Sequence, residues 1–301
     1  MRKKLVIIAG PTAVGKTDLA IWLAKKFSTV VVSADSRQIY KEMQIGTARP
    51  TEDEMQGVKH YFIANKSVKQ YYNAYMYEVE ALDLLHRLFE QYNPIIMVGG
   101  SGLYIDAIVK GIDDIPTVLP QIREQLMKWY EEAGKEKLQQ LLLRLDPEYY
   151  QRVDLNNHMR LLKALEVTIQ AGRPYSSFLK GKNKQRDFDI ILIGLNRPRE
   201  ELYQRINKRV EQMVQDGLMD EVKQLYPLKH LTALRTVGYQ ELFDYLDGKI
   251  SFEQAVDLIK RNTRKYARRQ LTWFRRYKDI KWFDPQQKNE IFSYILKRLN
   301  Q

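Results

Sequence analysis

The feature that most constrains this chain is the run Gly-Pro-Thr-Ala-Val-Gly-Lys-Thr at residues 10–17. Two glycines separated by four residues and followed by Lys16 and Thr17 form the pattern of a phosphate-binding loop. The glycines allow successive backbone amides to point into one concavity that holds phosphate oxygens. Lys16 adds positive charge, and the Thr17 hydroxyl can bind a magnesium ion shared with the phosphates. The predicted phosphate site comprises Gly10, Pro11, Thr12, Ala13, Val14, Gly15, Lys16 and Thr17.

The sequences on both sides of this loop support the same interpretation. Residues 5–9 are apolar and mostly β-branched, which predicts a buried parallel strand. Residues 17–26 carry apolar side chains at helical spacing, namely Leu19, Ala20, Leu23 and Ala24. A helix at this position would direct the positive end of its dipole at a bound anion. We therefore predict an α/β fold with a P-loop NTPase-like parallel sheet flanked by helices.

Asp35 follows a second predicted strand, residues 29–33. Because ligands of open parallel sheets bind beyond the carboxyl ends of the strands, we expect Asp35 to face the phosphate loop. Its carboxylate could be a metal ligand or a general base, and the alternative is a capping role for the residues after it.

A second strand-end acid, with which triphosphatases usually hold magnesium, is missing from the sequence. The predicted strand at residues 95–98 ends in glycine, and the strand at residues 187–194 has its acids at the beginning. This pattern disfavours ATP hydrolysis.

Strand–helix alternation stops after about residue 115, where only helices are predicted until about residue 184. They cover residues 120–133, 135–145 and 157–171, and Asp146-Pro147 opens another. A short basic loop, residues 180–186, then leads back to the sheet. We predict a catalytic core formed by residues 1–116 and 187–301, and an all-helical insertion domain formed by residues 117–186.

Charge points to a polyanionic partner. The chain has 49 Lys and Arg against 37 Asp and Glu, a net charge of +12, although an ordinary solvated surface could carry the same excess. A capping box at Ser251 opens a predicted helix that runs to about Arg276. Residues 254–278 hold nine basic residues and only one acid, Asp257. This imbalance favours contact with a phosphate backbone.

Composition also excludes several classes of site. The chain has no cysteine, which excludes disulfides, thiolate zinc sites and cysteine nucleophiles. The first residues lead directly into a strand, and no apolar run approaches the length of about 18 residues that predicts a membrane helix. We expect a cytoplasmic protein that does not bind membranes.

Several segments together resemble the tRNA dimethylallyltransferase family, and they occur in the family's order over almost the whole chain. Besides the phosphate loop, they begin at residue 33 (Ser-Ala-Asp-Ser), 45 (Ile-Gly-Thr-Ala-Arg-Pro), 98 (Val-Gly-Gly-Ser-Gly-Leu-Tyr), 160 (Arg-Leu-Leu-Lys-Ala-Leu-Glu-Val), 235 (Arg-Thr-Val-Gly-Tyr-Gln) and 268 (Arg-Arg-Gln-Leu-Thr-Trp-Phe). The family more often has Thr where this chain has Ser101. Without cysteine, the chain resembles the shorter bacterial members rather than eukaryotic members with a zinc finger.

The resemblance implies an enzyme that transfers a dimethylallyl group from dimethylallyl diphosphate to tRNA. The acceptor is the exocyclic amine of the adenosine 3′ of the anticodon. The implied catalytic residues are Asp35 as general base, with Lys16 and Thr17 at the diphosphate and magnesium as cofactor at Thr17. Arg199 and Arg205 would lie near the diphosphate. The residues implied to contact tRNA are Asp35, Ser36, Arg37, Gln38, Ser101, Arg123, Arg160, Lys163, Arg235, Gly238 and Gln240.

This chemistry agrees with the residues themselves. A preorganised diphosphate site stabilises the leaving group, and no water has to be activated, so a second acid is dispensable. Two rival interpretations remain from the sequence: a small-molecule kinase of the ATP-binding P-loop type, and a non-catalytic or ATP-switched RNA-binding protein. Asp35 beside the phosphate loop favours the prenyltransferase, which we expect to be a monomer.

Overall fold

The computed structural model describes residues 2–116, 118–179, 181 and 183–301. Thr117, where the insertion is predicted to begin, and Lys180 and Lys182 of the basic loop lie outside the described residues. The strands are Lys4–Ala9 (β1), Val31–Ser33 (β2), His60–Tyr61 (β3), Ile95–Gly99 (β4), Asp189–Leu195 (β5) and Lys281–Phe283 (β6). The helices are Lys16–Lys26 (α1), Glu52–Met55 (α2), Ala74–Leu88 (α3), Gly102–Val109 (α4), Pro120–Leu145 (α5), Pro147–Arg152 (α6), His158–Ala171 (α7), Arg199–Gln215 (α8), Leu218–Leu225 (α9), Gln240–Leu246 (α10), Phe252–Phe274 (α11) and Lys288–Leu299 (α12).

The six strands form one parallel sheet in the order β3-β2-β4-β1-β5-β6. The central strand β1 pairs with β4 and β5, so the turns that follow these strands meet at one edge. This arrangement confirms the predicted P-loop-like α/β fold.

Helices cover the sheet because its central strands are apolar on both faces. Val6 and Ile8 of β1 belong to a core with Leu23 of α1, Ile206 of α8 and Ile295 of α12. Leu5 and Ile7, which alternate with these residues along β1, point to the other face and are also fully buried. A parallel sheet is stable only when both faces are covered in this way.

The chain divides into two compact units, residues 1–109 with 185–301, and residues 110–184. The boundaries predicted from the sequence are residues 117 and 186. The second unit begins earlier because its two ends are joined: the backbone amide of Lys184 donates to the carbonyl of Lys110 at 2.8 Å. Within this unit, α5 and α7 share a core of buried leucines that includes Leu126, Leu142 and Leu165.

Local sequence accounts for the helix ends in the second unit. Gly134 interrupts α5 with φ 70° and ψ −170°, at the point where one predicted helix ends and the next begins. The fully buried Asp146 caps α6 by accepting the amide of Tyr149 at 3.0 Å, and it also accepts the amide of Ser176 at 2.7 Å. The predicted cap at Asp146 is confirmed, and the helix predicted to begin at residue 157 is capped by the side chain of Asn157.

Some elements are not predicted by the sequence pattern. The edge strands β3 and β6 have only two and three residues, too few for a periodic signal. Helices α2, α9 and α12 are likewise missing from the prediction. Among the described residues, none of the helices has the length and apolar character needed to span a membrane.

Candidate active site

A cavity of about 490 Å³ lies where the phosphate loop meets the carboxyl ends of β2 and β4. One wall is the loop and Asp35, and the other walls come from α8, α11 and the turn at residues 235–240. Parallel strand ends and helix α1 therefore direct their polar groups into one space, as expected for a ligand site in an open α/β sheet.

Lys16 lines this cavity and is held by the phosphate loop itself. Its Nζ atom donates to the backbone carbonyl of Pro11 at 2.7 Å. Burial lowers the pKa of Lys16 to about 7, the carboxylate of Asp35 opposes that shift, and the guanidinium of Arg209 adds to it. A bound anion would favour the ammonium form, so the site is electrostatically suited to phosphate.

Two arginines of α8 face the same cavity, and one of them contacts the loop. Arg205 donates from Nε to the carbonyl of Ala13 at 2.8 Å, and both Arg205 and Arg209 line the cavity. Burial and the nearby Arg205 lower the pKa of the Arg209 guanidinium. Arg197, just after β5, donates to the carbonyl of Val14 at 2.9 Å and pairs with Glu201. The loop is thus held by arginines through its carbonyls, which turns its amides toward the ligand.

Asp35 has two features that bear on its role. Its Oδ1 atom accepts the backbone amides of Arg37 at 2.9 Å and Gln38 at 3.2 Å, so the capping alternative is present in the structure. Its side chain also lines the cavity beside Lys16 and Thr17. Capping uses Oδ1, and the described contacts include no hydrogen bond to Oδ2. Capping and proton acceptance are therefore compatible.

A carboxylate outside the cavity lining holds the loop at residues 44–48, of which residues 46–48 line the cavity. Glu221 of α9 accepts the backbone amides of Gln44, Ile45 and Gly46 at 2.7–2.9 Å. It also accepts the hydroxyl of the buried Tyr239 at 2.7 Å. The carbonyls of the next two residues, 47 and 48, then accept the side-chain amide of Gln38 at 3.2 and 3.0 Å. Gln38 is consequently fixed in the cavity wall by a network that begins at α9.

Comparison with known proteins assigns the family. Residues 38–277 match the model of the IPP transferase family. A tRNA dimethylallyltransferase from Christiangramia forsetii is 50% identical over 302 residues, covering 100% of both chains. The chain belongs to the tRNA dimethylallyltransferase family. This membership makes it a prenyltransferase and confirms the resemblance found in the sequence.

Solved structures of the family share the fold. A tRNA isopentenylpyrophosphate transferase from Bacillus halodurans aligns with a TM-score of 0.72 and 37% identity, over 99% of this chain and 97% of the other. A eukaryotic dimethylallyltransferase acting on tRNA aligns with a TM-score of 0.75 and 26% identity, over 90% of this chain and 69% of the other.

Most of the catalytic and binding residues that the family resemblance predicts in the first unit line the cavity. They are Thr12, Ala13, Gly15, Lys16, Thr17, Asp35, Ser36, Arg37, Gln38, Arg205, Arg235, Gly238 and Gln240. Gly10, Pro11 and Val14 are buried in the loop behind it.

Two predicted site residues, Ser101 and Arg199, do not line the cavity. Ser101 is only 7% exposed, and its hydroxyl accepts the amide of Ser36 at 2.9 Å, so it supports the turn after Asp35 from behind. Arg199 is exposed at the start of α8 and donates to the hydroxyl of Tyr203 at 3.2 Å. It does not line the cavity, because it precedes Arg205 by more than one helical turn.

The predicted residues of the second unit differ in their surroundings. Arg123 donates to Glu166 at 2.9 Å, and the Glu166 side chain is only 3% exposed. Burial raises the pKa of this carboxyl, and the charge of Arg123 opposes the rise. Arg160 is exposed and Lys163 is half-buried. Arg123 therefore has a structural partner, whereas the side chain of Arg160 faces solvent.

Several residues of the site are not predicted from the sequence. Tyr266, Arg269 and Gln270 of α11 line the cavity, and Arg197 and Glu221 hold its loops. Desolvation in the cavity and the nearby carboxylate of Asp35 raise the pKa of Tyr266 to about 12. Helical spacing could have indicated the α11 residues, because residues 263, 266 and 270 share one helix face. The many basic residues of this helix favoured an interpretation as an RNA-binding surface instead.

Proposed function

We propose that the protein transfers a dimethylallyl group from dimethylallyl diphosphate to the exocyclic amine of the adenosine 3′ of the anticodon in tRNA. The observation that carries this proposal is that one cavity contains both the phosphate loop with Lys16 and the carboxylate of Asp35. An anion site next to a carboxylate matches a reaction in which diphosphate leaves and an amine loses a proton. The names of the family relatives support the same substrates.

In the proposed mechanism the diphosphate binds to the loop amides, with Lys16, Arg205 and Arg209 around it. As the allylic carbon–oxygen bond breaks, negative charge grows on the diphosphate. Preorganised cations and amides stabilise this charge in the transition state more than in the ground state, and this difference lowers the barrier.

Oxygen donors suited to magnesium line the same space. The hydroxyl of Thr17 and the carboxylates of Asp18 and Asp35 are hard oxygen ligands, which magnesium prefers, and magnesium commonly uses few protein ligands when substrate phosphates supply the rest. We propose Thr17 as its protein ligand, and magnesium when bound would neutralise part of the leaving-group charge.

The five-carbon group requires an apolar surface beside the diphosphate. Ile206, Val210 and Met213 of α8 and Ile259 of α11 line the cavity together with its cationic groups. We propose that these side chains receive the dimethylallyl group and exclude water from the allylic cation-like transition state.

The acceptor amine loses a proton after attacking the allylic carbon, and Asp35 is the proposed proton acceptor. An adenine in a stacked anticodon loop must be extruded to reach a cavity of this kind. Gln38, Arg235 and Tyr266 line the cavity with hydrogen-bonding and aromatic groups able to contact such a base.

The remainder of the RNA is proposed to contact α11 and the second unit. Arg261, Lys265 and Arg268 of α11 are exposed, as is Arg160 of the second unit. These contacts are with phosphates and supply affinity rather than chemistry. A cytoplasmic monomer stays the expected form of the protein.

The experiment that tests the proposal is incubation with dimethylallyl diphosphate, magnesium and bulk tRNA, followed by nuclease digestion and mass spectrometry of the nucleosides. We expect an adenosine whose mass is increased by one dimethylallyl group. Reactions without the diphosphate and with an Asp35→Asn variant are the controls. Phosphate transfer from ATP instead would favour the kinase alternative, and RNA binding without any product would favour the non-catalytic one.

A further inference from the structure

Gln270 lies at the junction between helix α11 and two of the turns that form the cavity. The residue is buried, with 5% of its surface exposed. Its Oε1 atom accepts the backbone amide of Thr12 at 2.9 Å, and its Nε2 atom donates to the carbonyl of Gly100 at 2.8 Å. One buried side chain thus connects α11 to the turn after β1 and to the turn after β4.

The Thr12 amide belongs to the same peptide group as the Pro11 carbonyl. That carbonyl accepts the ammonium of Lys16 at 2.7 Å. The Pro11–Thr12 peptide is therefore held from one side by Gln270 and from the other by Lys16, and its orientation determines the position of the Lys16 ammonium. A buried amide with donor and acceptor both satisfied is a rigid connection.

Space around Gln270 is restricted. A methyl group added at Gly100 would come within 2.4 Å of the Nε2 atom. Earlier on the same helix, Thr263 and Tyr266 line the cavity, and Arg268 is exposed to solvent. A displacement of α11 must consequently move the Pro11–Thr12 peptide.

From this geometry we propose that Gln270 is a positioning residue that couples RNA binding on α11 to diphosphate binding at Lys16. The inference rests on the proposed function, since it takes the diphosphate and the RNA as the two ligands. When RNA phosphates bind the exposed face of α11, Gln270 transmits the resulting position of the helix to the peptide beside Lys16. By linkage, diphosphate changes RNA affinity by the same factor.

The test compares Gln270→Met, which has a similar length and removes both hydrogen bonds, with Gly100→Ala, which displaces the same amide from the opposite side. The matched control is Gln254→Met, because Gln254 is also in α11 and its Oε1 atom also accepts a backbone amide, that of Ser251 at 2.9 Å, in the first turn of the helix and outside the cavity lining. Calorimetry measures the Kd of inorganic diphosphate, with magnesium present, in the absence and presence of a saturating anticodon stem-loop RNA.

For the wild-type protein we expect the RNA to change the diphosphate Kd by about fivefold or more. In Gln270→Met and Gly100→Ala the diphosphate Kd without RNA should rise about 3- to 10-fold, and the effect of RNA should disappear, while RNA affinity is retained. Gln254→Met should keep both the Kd and the coupling.

Other outcomes would overturn the inference in distinguishable ways. If Gln270→Met and Gly100→Ala both kept the wild-type effect of RNA on the diphosphate Kd, the inference would be refuted and the proposed function would stand. Equal loss of diphosphate binding, RNA binding and thermal stability in both variants would identify Gln270 as purely structural. A wild-type protein that binds neither ligand would refute the proposed function, and this inference with it.

Discussion

The Oδ1 atom of Asp35 accepts the backbone amide of Arg37 at 2.9 Å, so this carboxylate organises a turn as well as facing the cavity. Asparagine caps such turns as well as aspartate does but does not accept a proton. We predict that Asp35→Asn retains the fold and substrate binding and lowers the rate of prenyl transfer by about 100- to 10,000-fold. Single-turnover measurement with both substrates saturating checks this, and a variant that keeps most of the wild-type rate would restrict Asp35 to capping.

Prenyl transfer should proceed without ATP. The strand β4 ends in Gly99, and the one acid of β5, Asp189, is at its start, so neither of these described strands supplies a second strand-end carboxylate of the triphosphatase type. The measurement is product formation by nucleotide-free protein given dimethylallyl diphosphate, magnesium and tRNA. An absolute requirement for ATP hydrolysis would revive the kinase or switch interpretations.

Diphosphate binding should depend on pH through Lys16. Burial lowers the pKa of Lys16 to about 7 without ligand, and a bound anion favours the ammonium, so binding above pH 7 must take up a proton. The affinity should fall by up to about tenfold per pH unit above 7. Lys16→Arg, which stays charged, is the matched control and should remove this dependence. Equal pH profiles for the two proteins would contradict the assignment.

RNA binding should weaken with salt, and the exposed arginines of α11 should set part of the slope. If Arg268 binds one RNA phosphate, replacing it by Gln should reduce the slope of log K against log salt by about one unit. The control is Lys260→Gln, since Lys260 already pairs with Glu211 at 2.7 Å and should contribute less. A binding constant that is insensitive to salt would argue against the basic face of α11.

In the second unit, substitution of one arginine should weaken RNA binding, and substitution of another should lower stability. Arg160→Ala should weaken RNA binding with little effect on stability, because Arg160 is exposed. Arg123→Ala leaves the buried Glu166 without its ion-pair partner and should reduce the free energy of unfolding by roughly 1–3 kcal/mol. Thermal unfolding and RNA titration of both variants provide the check. The reverse pattern would show that the roles of the two arginines are exchanged.

Local sequence was sufficient to predict the parts of the protein whose conformation depends on neighbouring residues. The strand–loop–helix around Gly15, the capping box at Ser251 and the break at Gly134 each follow from backbone preferences and short-range hydrogen bonds. The position of Asp35 at the end of β2 also predicted that it faces the phosphate loop, because parallel strands place their carboxyl ends at one edge of the sheet.

The sequence by itself therefore determined the fold class, the phosphate loop and the family, because each of these depends on short contiguous motifs. Only the tertiary structure decided that Gln270 holds the loop at Thr12, that Glu221 holds residues 44–46, and that Arg199 lies outside the cavity. These contacts join residues as many as 258 positions apart. The physical reason is that a side chain's local pattern specifies its helix face, whereas its partner is set by how helices pack on the sheet.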